Sequence, residues 1–385
     1  MPGLPHGQRT AALGPLPDGR LRTVLGILAA VATLYVFLVS ISLLGTGFKM
    51  FGAGFAERLI ATTSNPFIGL FIGILATSIV QSSSTTTCTV VGFVATGILS
   101  IENAIPIVMG ANIGTTVTST IVSLGHISRK QEFRRAMEAA TVHDFFNIIA
   151  VAILFPIEIA TGFLRRSAIA LSRLLVGSDP VAFASPVKAV VRPVSHAIAE
   201  LIESGLGSGA APVVAVLAFA LLIASLYVLV RLTKGLAVGR AEVVLDRCMG
   251  RGGATGIAVG AGLTAVIQSS SVTTSLMVPL AGSGIASLEQ IFPVTLGANV
   301  GTTVTALLAS LSGEPQGLAI ALVHLMFNVA GILIIYPFPP VRRIPMRLAT
   351  GLAGVASRSR RYAAVFIIGA FYVVPGLVIL IDRLL

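Results

Sequence analysis

Residues 66–99 read PFIGLFIGILATSIVQSSSTTTCTVVGFVATGIL, and this stretch decides the fold. About fifteen apolar residues precede Gln81, hydroxyl side chains fill most of the next nine positions, and apolar residues then resume. Neither apolar arm reaches the roughly 20 residues that a membrane-spanning helix needs. A polar break at membrane depth is costly unless it lines a cavity or is buried in protein. The stretch therefore predicts a re-entrant helical hairpin with its tip at 81–87.

The composition of the whole chain indicates a membrane protein. Of its 385 residues, 55% are hydrophobic and only 11% are charged, with a mean hydropathy of +0.95. Soluble domains carry roughly 25% charged residues, so these few charges cannot cover a soluble surface. We therefore expect an all-α polytopic membrane protein, multi-pass, in the cell (inner) membrane. The other long apolar stretches are 25–48, 104–125, 137–160, 212–233, 291–311, 317–337 and 363–381.

The net charge of +11 does not indicate nucleic-acid binding. Lys and Arg cluster in short runs between apolar stretches, as they do in the loops of membrane proteins. We expect the lipid bilayer and no nucleic acid as a partner.

The sequence contains no enzyme motif. It lacks a Gly-rich P-loop and the motifs His-Glu-x-x-His, Cys-x-x-Cys and Gly-x-Ser-x-Gly. Without a P-loop the chain cannot drive transport with ATP on its own. The prediction is a protein that is not an enzyme and needs no organic cofactor.

An internal repeat organises the chain. Residues 73–124 align with 260–311 at a constant offset of 187, with 24 identities in 52 positions. Gln81-Ser82-Ser83-Ser84 falls on Gln268-Ser269-Ser270-Ser271, and the Gly-Ala-Asn-x-Gly-Thr-Thr motif at 110–116 falls on the same motif at 297–303. Composition bias does not raise chance identity to nearly half, so we infer a duplication.

Loop charges predict that the two repeats are inverted. The loop at 126–135, after the first Gly-Ala-Asn motif, holds four Lys or Arg, whereas its counterpart at 312–316 holds none. Positive loops stay on the cytoplasmic side, so equivalent loops are expected on opposite sides. The basic stretches 338–361 and 231–251 are placed inside by the same rule. We expect each repeat to contain a re-entrant helical hairpin and a broken helix.

This organisation predicts five segments along the chain. They are a flexible N-terminus at 1–20, a first transmembrane repeat at 21–160, a connecting loop with an amphipathic helix at 161–211, a second transmembrane repeat at 212–337, and a basic cytoplasmic loop with a final transmembrane helix at 338–385.

The two hydroxyl-rich tips predict an anion and cation site. The N-terminus of a half-helix presents unpaired N–H groups and partial positive charge, which suit an oxyanion. Hydroxyl and carbonyl oxygens and the amides of Gln81 and Gln268 can coordinate Na⁺, as in other inverted-repeat transporters. The alternative is that these Ser and Thr side chains only hold helices together. Two clusters at equivalent positions, each interrupting a span, favour the functional interpretation.

The Gly-Ala-Asn-x-Gly-Thr-Thr motif allows two interpretations. Two glycines within five residues weaken a helix, so we expect an unwound segment that faces the hairpin tip. The alternative is close packing of small residues against the hairpin.

His143 and Asn147 lie four residues apart on one helix face, as do His324 and Asn328. An ionisable side chain within a span is a functional candidate, although a neutral His bonded to an Asn on a neighbouring helix is an equal alternative. We treat these four residues as possible supporting residues. Asp144 and Glu138 occur in the first half only, where pairing with Arg134 or Arg135 would suffice to explain them.

The twin QSSS motifs, the twin Gly-Ala-Asn-x-Gly-Thr-Thr motifs and the run EFRRAM…ATVHDFFN at 132–147 resemble the type II sodium-dependent phosphate cotransporter family, in its bacterial form. The resemblance covers about 40–160 and 212–340. It implies Na⁺-coupled transport of inorganic phosphate, with both QSSS segments in the transport site. The substrate- and ion-binding residues that it implies are Gln81, Ser82, Ser83, Ser84, Thr85, Asn112, Thr115, Thr116, Gln268, Ser269, Ser270, Ser271, Thr274, Asn299, Thr302 and Thr303.

The function expected from residues and resemblance together is a secondary active transporter. Phosphate and Na⁺ would bind between the two tips and move by alternating access. The alternatives are a transporter of another oxyanion, a phosphate exporter, and, with less support, an ion channel.

Overall fold

The computed structural model describes residues 19–176, 186–248, 252–312 and 315–384, and every regular element in these ranges is a helix. The predicted flexible N-terminus at 1–20 lies outside the described residues as far as residue 18. The first helix begins at Gly19.

Seven helical segments of the described chain are long and apolar enough to cross a membrane. They coincide with the seven apolar stretches of the sequence, which confirms the expectation of an all-α, multi-pass membrane protein. Apolar side chains are exposed along them, as lipid contact requires. The segments are Val24–Met50, Ile101–His126, Lys130–Thr161, Pro186–Lys234, Leu288–Ser310, Pro315–Ile335 and Arg361–Leu384.

The two repeats contain corresponding helices, with seven in the first and five in the second, where the single helix α13 takes the place of α5 and α6. In the first repeat they are α1 (Gly19–Met50), α2 (Ala53–Thr62), α3 (Pro66–Val80), α4 (Ser83–Ala95), α5 (Ile101–Gly114), α6 (Val117–Ser123) and α7 (Lys130–Thr161). In the second repeat α10 (Ala210–Cys248), α11 (Gly253–Ile267), α12 (Ser270–Ser283), α13 (Leu288–Ser310) and α14 (Pro315–Ile335) take the corresponding places.

The QSSS segments form the turns of two helical hairpins. The α3 and α4 helices have 15 and 13 residues, and α11 and α12 have 15 and 14. Thr77 donates a hydrogen bond to Thr86 across the first turn (3.0 Å), and Thr264 bonds Thr273 across the second (2.8 Å). At 1.5 Å per residue, each arm is shorter than a bilayer core is thick.

The prediction of a broken helix at the Gly-Ala-Asn-x-Gly-Thr-Thr motif holds in the first repeat, where α5 ends at Gly114 and α6 begins at Val117, and is wrong in the second repeat. The α13 helix passes through its motif without interruption. In the first repeat Thr115 and Thr116, between α5 and α6, keep right-handed helical dihedral angles. Only a tightened turn marks the junction, where the Thr116 N–H donates to the Ile113 carbonyl oxygen.

The glycines of the motif allow close packing against the hairpin, which was the alternative interpretation of the motif. A Cβ atom on Gly73 would meet the Ile107 carbonyl oxygen, and one on Gly110 would meet that of Leu70. The α5 helix therefore lies directly on the backbone of α3, an approach that only glycine permits. In the second repeat α13 approaches α11 in the same way, with Gly260 against Val294 and Gly297 against Ile257.

The second helix of each hairpin packs against the other repeat. The α4 helix lies on α13 and α14, and α12 lies on α6 and α7. Arg135 of α7 donates to the Gly282 carbonyl oxygen near the end of α12 (2.7 and 3.1 Å), a favourable place for a cation. Phe146 and Phe292 meet edge to face in the shared core. The hairpins thus form much of the contact between the repeats.

The connecting and terminal segments are more helical than expected. The stretch 161–211 contains two helices, α8 (Phe163–Val176) and α9 (Pro186–Leu206), and 177–185 lies outside the described residues. The basic stretch expected as a loop contains α15 (Pro339–Ala356). The last segment comprises α16 (Arg360–Ile368), a π-helical turn at Gly369–Val373, and α17 (Val374–Leu384).

Candidate functional site

Both hairpin tips have the same unusual backbone. Gln81 and Gln268 have φ angles of 59° and 61° and are the two non-glycine residues with positive φ in the described chain. This left-handed conformation costs a residue with a Cβ atom about 1–2 kcal/mol. The next residues, Ser82 and Ser269, are extended. The chain thus reverses at each glutamine and starts a new helix.

The serine after each glutamine caps that new helix. The Ser82 hydroxyl accepts from the Thr85 N–H (3.2 Å), and Ser269 accepts from the Val272 N–H (3.4 Å). The N–H groups at the first positions of a helix have no intrahelical acceptor. At α4 and α12 these positions are the buried residues Ser83 and Ser270 and their neighbours Ser84 and Ser271. Each tip therefore presents backbone N–H groups and hydroxyls together.

A threonine beyond each Gly-Ala-Asn motif holds the tip glutamine. Thr118 donates to Gln81 Oε1, and Thr305 donates to Gln268 Oε1, both at 2.9 Å. Each glutamine amide also donates to a carbonyl of its own hairpin, Ser78 in the first and Ala265 in the second. Thr118 and Thr305 were not among the expected site residues, although both belong to the repeated run.

The second tip lies beside the first hairpin. The Cys88 thiol of α4 is 3.7 Å from the Thr305 carbonyl oxygen, and Thr305 is the residue that bonds Gln268. One residue of α13 therefore contacts both hairpins. This contact joins the first hairpin to the helix that holds the second tip glutamine.

The two threonines of each motif differ in their hydrogen bonds. Thr116 and Thr303 donate to carbonyl oxygens one turn earlier, each at 2.7 Å. The hydroxyls of Thr115 and Thr302 are buried without a partner in the described chain, as is that of Thr87. An unpartnered buried polar group costs free energy. The unpartnered hydroxyl recurs at equivalent positions of both repeats.

A chain of amides joins the two motifs through α7. Asn147 donates to the Asn112 carbonyl oxygen, and Asn299 donates to Asn147 Oδ1, both at 2.7 Å. His143 Nε2 is 2.6 Å from Asn299 Oδ1. The Asn299 side chain is therefore satisfied within the protein. His143 has the structural partner that the alternative interpretation anticipated.

The second His-Asn pair is not bonded in the same way. The Asn328 amide donates to the His324 carbonyl oxygen (2.9 Å). Both ring nitrogens of His324 and the Asn328 Oδ1 atom are buried with no partner among the described residues. The duplication thus preserved the residue types, while only the first pair connects the repeats.

Asp144 is a buried carboxylic acid that the sequence analysis misjudged. Glu138 does pair with Arg134 (3.1 Å), but Asp144 accepts from the Thr120 hydroxyl (3.3 Å), and its Oδ1 atom has no partner in the described chain. It lies one helical turn from Asn147 and beside His143. Its position next to that pair in the sequence was the available signal.

Tyr372 contacts the first tip from outside the repeats. Its hydroxyl donates to the Ser78 carbonyl oxygen (3.0 Å) and accepts from Gln81 Nε2 (3.3 Å). It lies in the π-helical turn between α16 and α17. No sequence motif marks this residue, because its segment has no counterpart elsewhere in the chain.

The sixteen expected site residues are uncharged, and most are buried. Gln81, Ser82, Ser269 and Ser271 are half-buried, and the other twelve are buried. No group of three or more His, Cys, Asp or Glu that could hold a metal occurs in 19–176, 186–248, 252–312 and 315–384. The donors and acceptors at the tips are hydroxyls, amides and backbone groups, which suit an oxyanion and a hard monovalent cation rather than a transition metal.

These features define a polytopic, all-α membrane protein with a duplicated core and paired polar hairpin tips. The sequence profile described as Na⁺/Pi-cotransporter matches residues 36–177 and 221–355. The chain belongs to this family.

Several mammalian proteins are similar to the chain. Sodium-dependent phosphate transport protein 2A of Ovis aries is 33% identical over 92% of this chain and 67% of its own length. Sodium-dependent phosphate transport protein 2B of Homo sapiens is 31% identical over 93% of this chain and 64% of its own length. Sodium-dependent phosphate transport protein 2A of Mus musculus is 34% identical over 90% of this chain and 66% of its own length. The chain thus spans about two thirds of the length of these relatives. No solved structure matches it.

Proposed function

We propose that the chain is a secondary active transporter that moves inorganic phosphate together with Na⁺ by alternating access. The family to which it belongs and the names of its relatives, sodium-dependent phosphate transport proteins, support this proposal. The coupling ion is Na⁺, and no organic cofactor takes part. In a bacterial cell the protein would lie in the inner membrane.

One observation carries the assignment of the site. The hydroxyls of Thr115 and Thr302, equivalent in the two repeats, are buried without partners next to tips that present helix N-termini. Protein interiors rarely leave such groups unsatisfied. A bound oxyanion or Na⁺ would satisfy both, whereas a role in packing alone would not.

Three roles can be distinguished at the site in this proposal. The N–H groups and hydroxyls at Ser83, Ser84, Ser270 and Ser271 bind phosphate, since helix N-termini stabilise anions without a membrane-embedded arginine. Hydroxyl, amide and carbonyl oxygens around the tips coordinate Na⁺. Hydrogen bonds from Thr118 and Thr305 orient the tip glutamines. The remaining expected site residues are Ser82, Thr85, Asn112, Thr116, Ser269, Thr274, Asn299 and Thr303.

Transport requires that the site open to each side in turn. Na⁺ binding partly neutralises and orders the hydroxyl-rich site, divalent phosphate then binds between the tips, and one repeat rocks against the other. We propose that the repeats have inverted topology and that the hairpins are re-entrant. Packing of α4 and α12 on the opposite repeat would let such rocking act directly on the tips.

Uptake of radiolabelled phosphate into proteoliposomes tests the function. We expect saturable uptake that depends on an inward Na⁺ gradient and disappears when K⁺ replaces Na⁺. Arsenate should compete and sulfate should not. Uptake that is independent of Na⁺, or conductance that does not saturate, would contradict the symport proposal, and stronger competition by sulfate than by arsenate would indicate another oxyanion.

A further inference from the structure

A buried cluster of three side chains joins the two repeats. Asn299 of the second repeat donates to Asn147 Oδ1 of the first (2.7 Å), and Asn299 Oδ1 lies 2.6 Å from His143 Nε2. An amide oxygen can only accept, so the His143 ring donates through Nε2. All three side chains are buried. We call them the first cluster, and its two hydrogen bonds cross the interface between the repeats.

The second cluster consists of the equivalent residues with the repeats exchanged, Asn112, His324 and Asn328. Asn112 precedes Asn299 by 187 residues, and the other two follow their counterparts by 181. Here each amide donates to a carbonyl one turn earlier in its own helix, Asn112 to Val108 (3.0 Å) and Asn328 to His324 (2.9 Å). Both ring nitrogens of His324 and the Asn328 Oδ1 atom have no partner among the described residues. The second cluster is therefore open.

His324 nevertheless lies on the face of α14 that contacts the first repeat. Gly317, His324 and Gly331 are seven residues apart and so share one face of the helix. A Cβ atom on Gly317 would lie 2.9 Å from Ala95 Cβ of α4, and one on Gly331 would lie 3.1 Å from Ala150 Cβ of α7. The α14 helix also packs on α5, which carries the Asn of the second cluster. The imidazole is thus placed at the interface between the repeats, as that of the first cluster is.

The difference between the two clusters needs a physical reason. Buried polar groups are nearly always hydrogen-bonded, and each one left without a partner costs free energy. The residue types are the same in both halves, so the cost does not come from the loss of a donor or an acceptor. It comes from the conformation in which the two repeats are held.

Inverted repeats provide such a reason. In a transporter built from two of them, the opposite-facing form arises when each repeat takes the conformation that the other one had. Equivalent residues then exchange their environments. In that form the environment of the first cluster passes to the second, and the unpartnered atoms of the second cluster pass to the first.

We propose that the two clusters close in alternation, the first in the form described here and the second in the opposite-facing form. In the opposite-facing form His324 donates to Asn112, Asn112 donates to Asn328, and Asn299 no longer bonds His143. Each cluster stabilises one form, so the difference between them sets the ratio of the two. The inference rests on the proposed alternating access.

Spin labels on the purified full-length protein measure this ratio without any transport assay. Labels at Ser128→Cys and Ile285→Cys, in a Cys88→Ala/Cys248→Ala background, would occupy exposed loops of different repeats. These loops lie at the end of the molecule where Arg135 of α7 bonds the end of α12. Double electron–electron resonance gives the distances between the labels and the fraction of protein in each form.

We expect His143→Leu to raise the ratio of the opposite-facing form to the form described here about fivefold, through the loss of one buried hydrogen bond. Adding His324→Leu should return the ratio toward that of the parent, because His324 stabilises the opposite-facing form alone. Adding His324→Gln instead should leave the ratio raised, since glutamine keeps an N–H donor. The control His196→Leu changes an exposed histidine of α9 and should match the parent.

A ratio that His324→Leu leaves unchanged or raises further would overturn the proposal, as would one unchanged distance in every variant. The unpartnered atoms would then be those of a site for bound water or an ion. Thermal unfolding checks that each variant is folded. Phosphate uptake by the parent is measured separately: Na⁺-dependent uptake without these shifts contradicts this inference alone, whereas absence of such uptake contradicts the symport proposal.

Discussion

At the scale of single residues, we expect different effects from substitution of the two adjacent threonines of the repeated motif. Thr115 has an unpartnered buried hydroxyl, whereas Thr116 already donates to a carbonyl oxygen. Valine has nearly the shape of threonine and lacks the hydroxyl. We expect Thr115→Val to raise the KM for phosphate or for Na⁺ about tenfold, because the loss of one hydrogen bond to the ligand weakens binding by about that factor.

The matched control is Thr116→Val, which removes a hydroxyl that faces the backbone. Its KM should change by less than about threefold. Kinetics of Na⁺-dependent uptake in proteoliposomes provide the comparison, and Thr302→Val against Thr303→Val repeats it in the second half. Equal effects from both members of a pair would argue that Thr115 and Thr302 do not contact a ligand.

A second prediction concerns the serines at the start of α4 and α12. Ser83 and Ser270 are 5% and 3% exposed, so an indole at either position would displace the groups packed around the start of its helix. Ser83→Trp and Ser270→Trp should each abolish uptake while leaving expression in the membrane unchanged. Ser204→Trp, at an exposed position of α9, serves as the control. Normal uptake by both tip variants would exclude this site.

Residue types and their spacing predicted where the helices are interrupted, at Gln81 and Gln268, because a run of hydroxyl side chains within an apolar stretch stands out in sequence. They could not predict which hydroxyls remain free. Thr115 and Thr116 are indistinguishable in sequence, and only the path of the helix sends one hydroxyl to the backbone and leaves the other unpartnered. Asp144 was misjudged for a related reason, since nearby arginines in sequence lie beyond its reach in the fold.

At the scale of the helices, we expect opposite effects on stability from alanine substitution of two glycines of α11. A Cβ atom on Gly260 would meet the Val294 carbonyl oxygen of α13, whereas one on Gly262 would have no neighbour within 4 Å. Gly260→Ala should destabilise the protein by about 1–3 kcal/mol through overpacking. Gly262→Ala should be neutral or stabilising by up to about 1 kcal/mol, since alanine favours a helix.

The apparent midpoint of thermal unfolding in detergent measures both variants under one set of conditions. A lower midpoint for Gly260→Ala alone is the expected result. Equal midpoints for the two variants would mean that α11 and α13 are not in the close contact described above.

Sequence predicted the interruption at the QSSS segments but not the continuous helix α13 through the second Gly-Ala-Asn motif. Arm length alone shows that 66–80 and 83–95 cannot each span a bilayer, so the hairpin follows from counting residues. The glycines of the Gly-Ala-Asn motif weaken an isolated helix. In the protein this weakness is outweighed by the packing that they allow, and packing partners are not visible in a local sequence.

At the scale of the whole molecule, inverted topology predicts opposite accessibility of two equivalent loops. Ser128 and Gln316 are both exposed beside the corresponding ends of their repeats. In a background with Cys88→Ala and Cys248→Ala, a membrane-impermeant maleimide applied to intact cells should label Gln316→Cys. It should label Ser128→Cys only after permeabilisation, because its loop is basic. Labelling of both from the same side would disprove the inversion.

The duplication itself was readable from identities in the sequence, and so were the seven spans. The helices outside the duplicated core could not be read from the sequence in the same way. The segment 161–211 was expected to hold one amphipathic helix and contains α8 and α9, and α15 lies where a basic loop was expected. An amphipathic helix and a polar loop have similar composition, and the last segment gave no sign of its contact with the first tip.

That contact has a consequence for the energetics of the cycle. Two identical halves related by an in-plane two-fold axis would make the outward-open and inward-open forms equivalent by rotation, and the two forms would be equally populated when no gradient acts. Tyr372 bonds the first tip, to Gln81 and Ser78, and has no counterpart at the second tip among the described residues. In the proposed cycle the two forms would therefore differ in free energy, and we expect the empty protein to populate one of them more than the other.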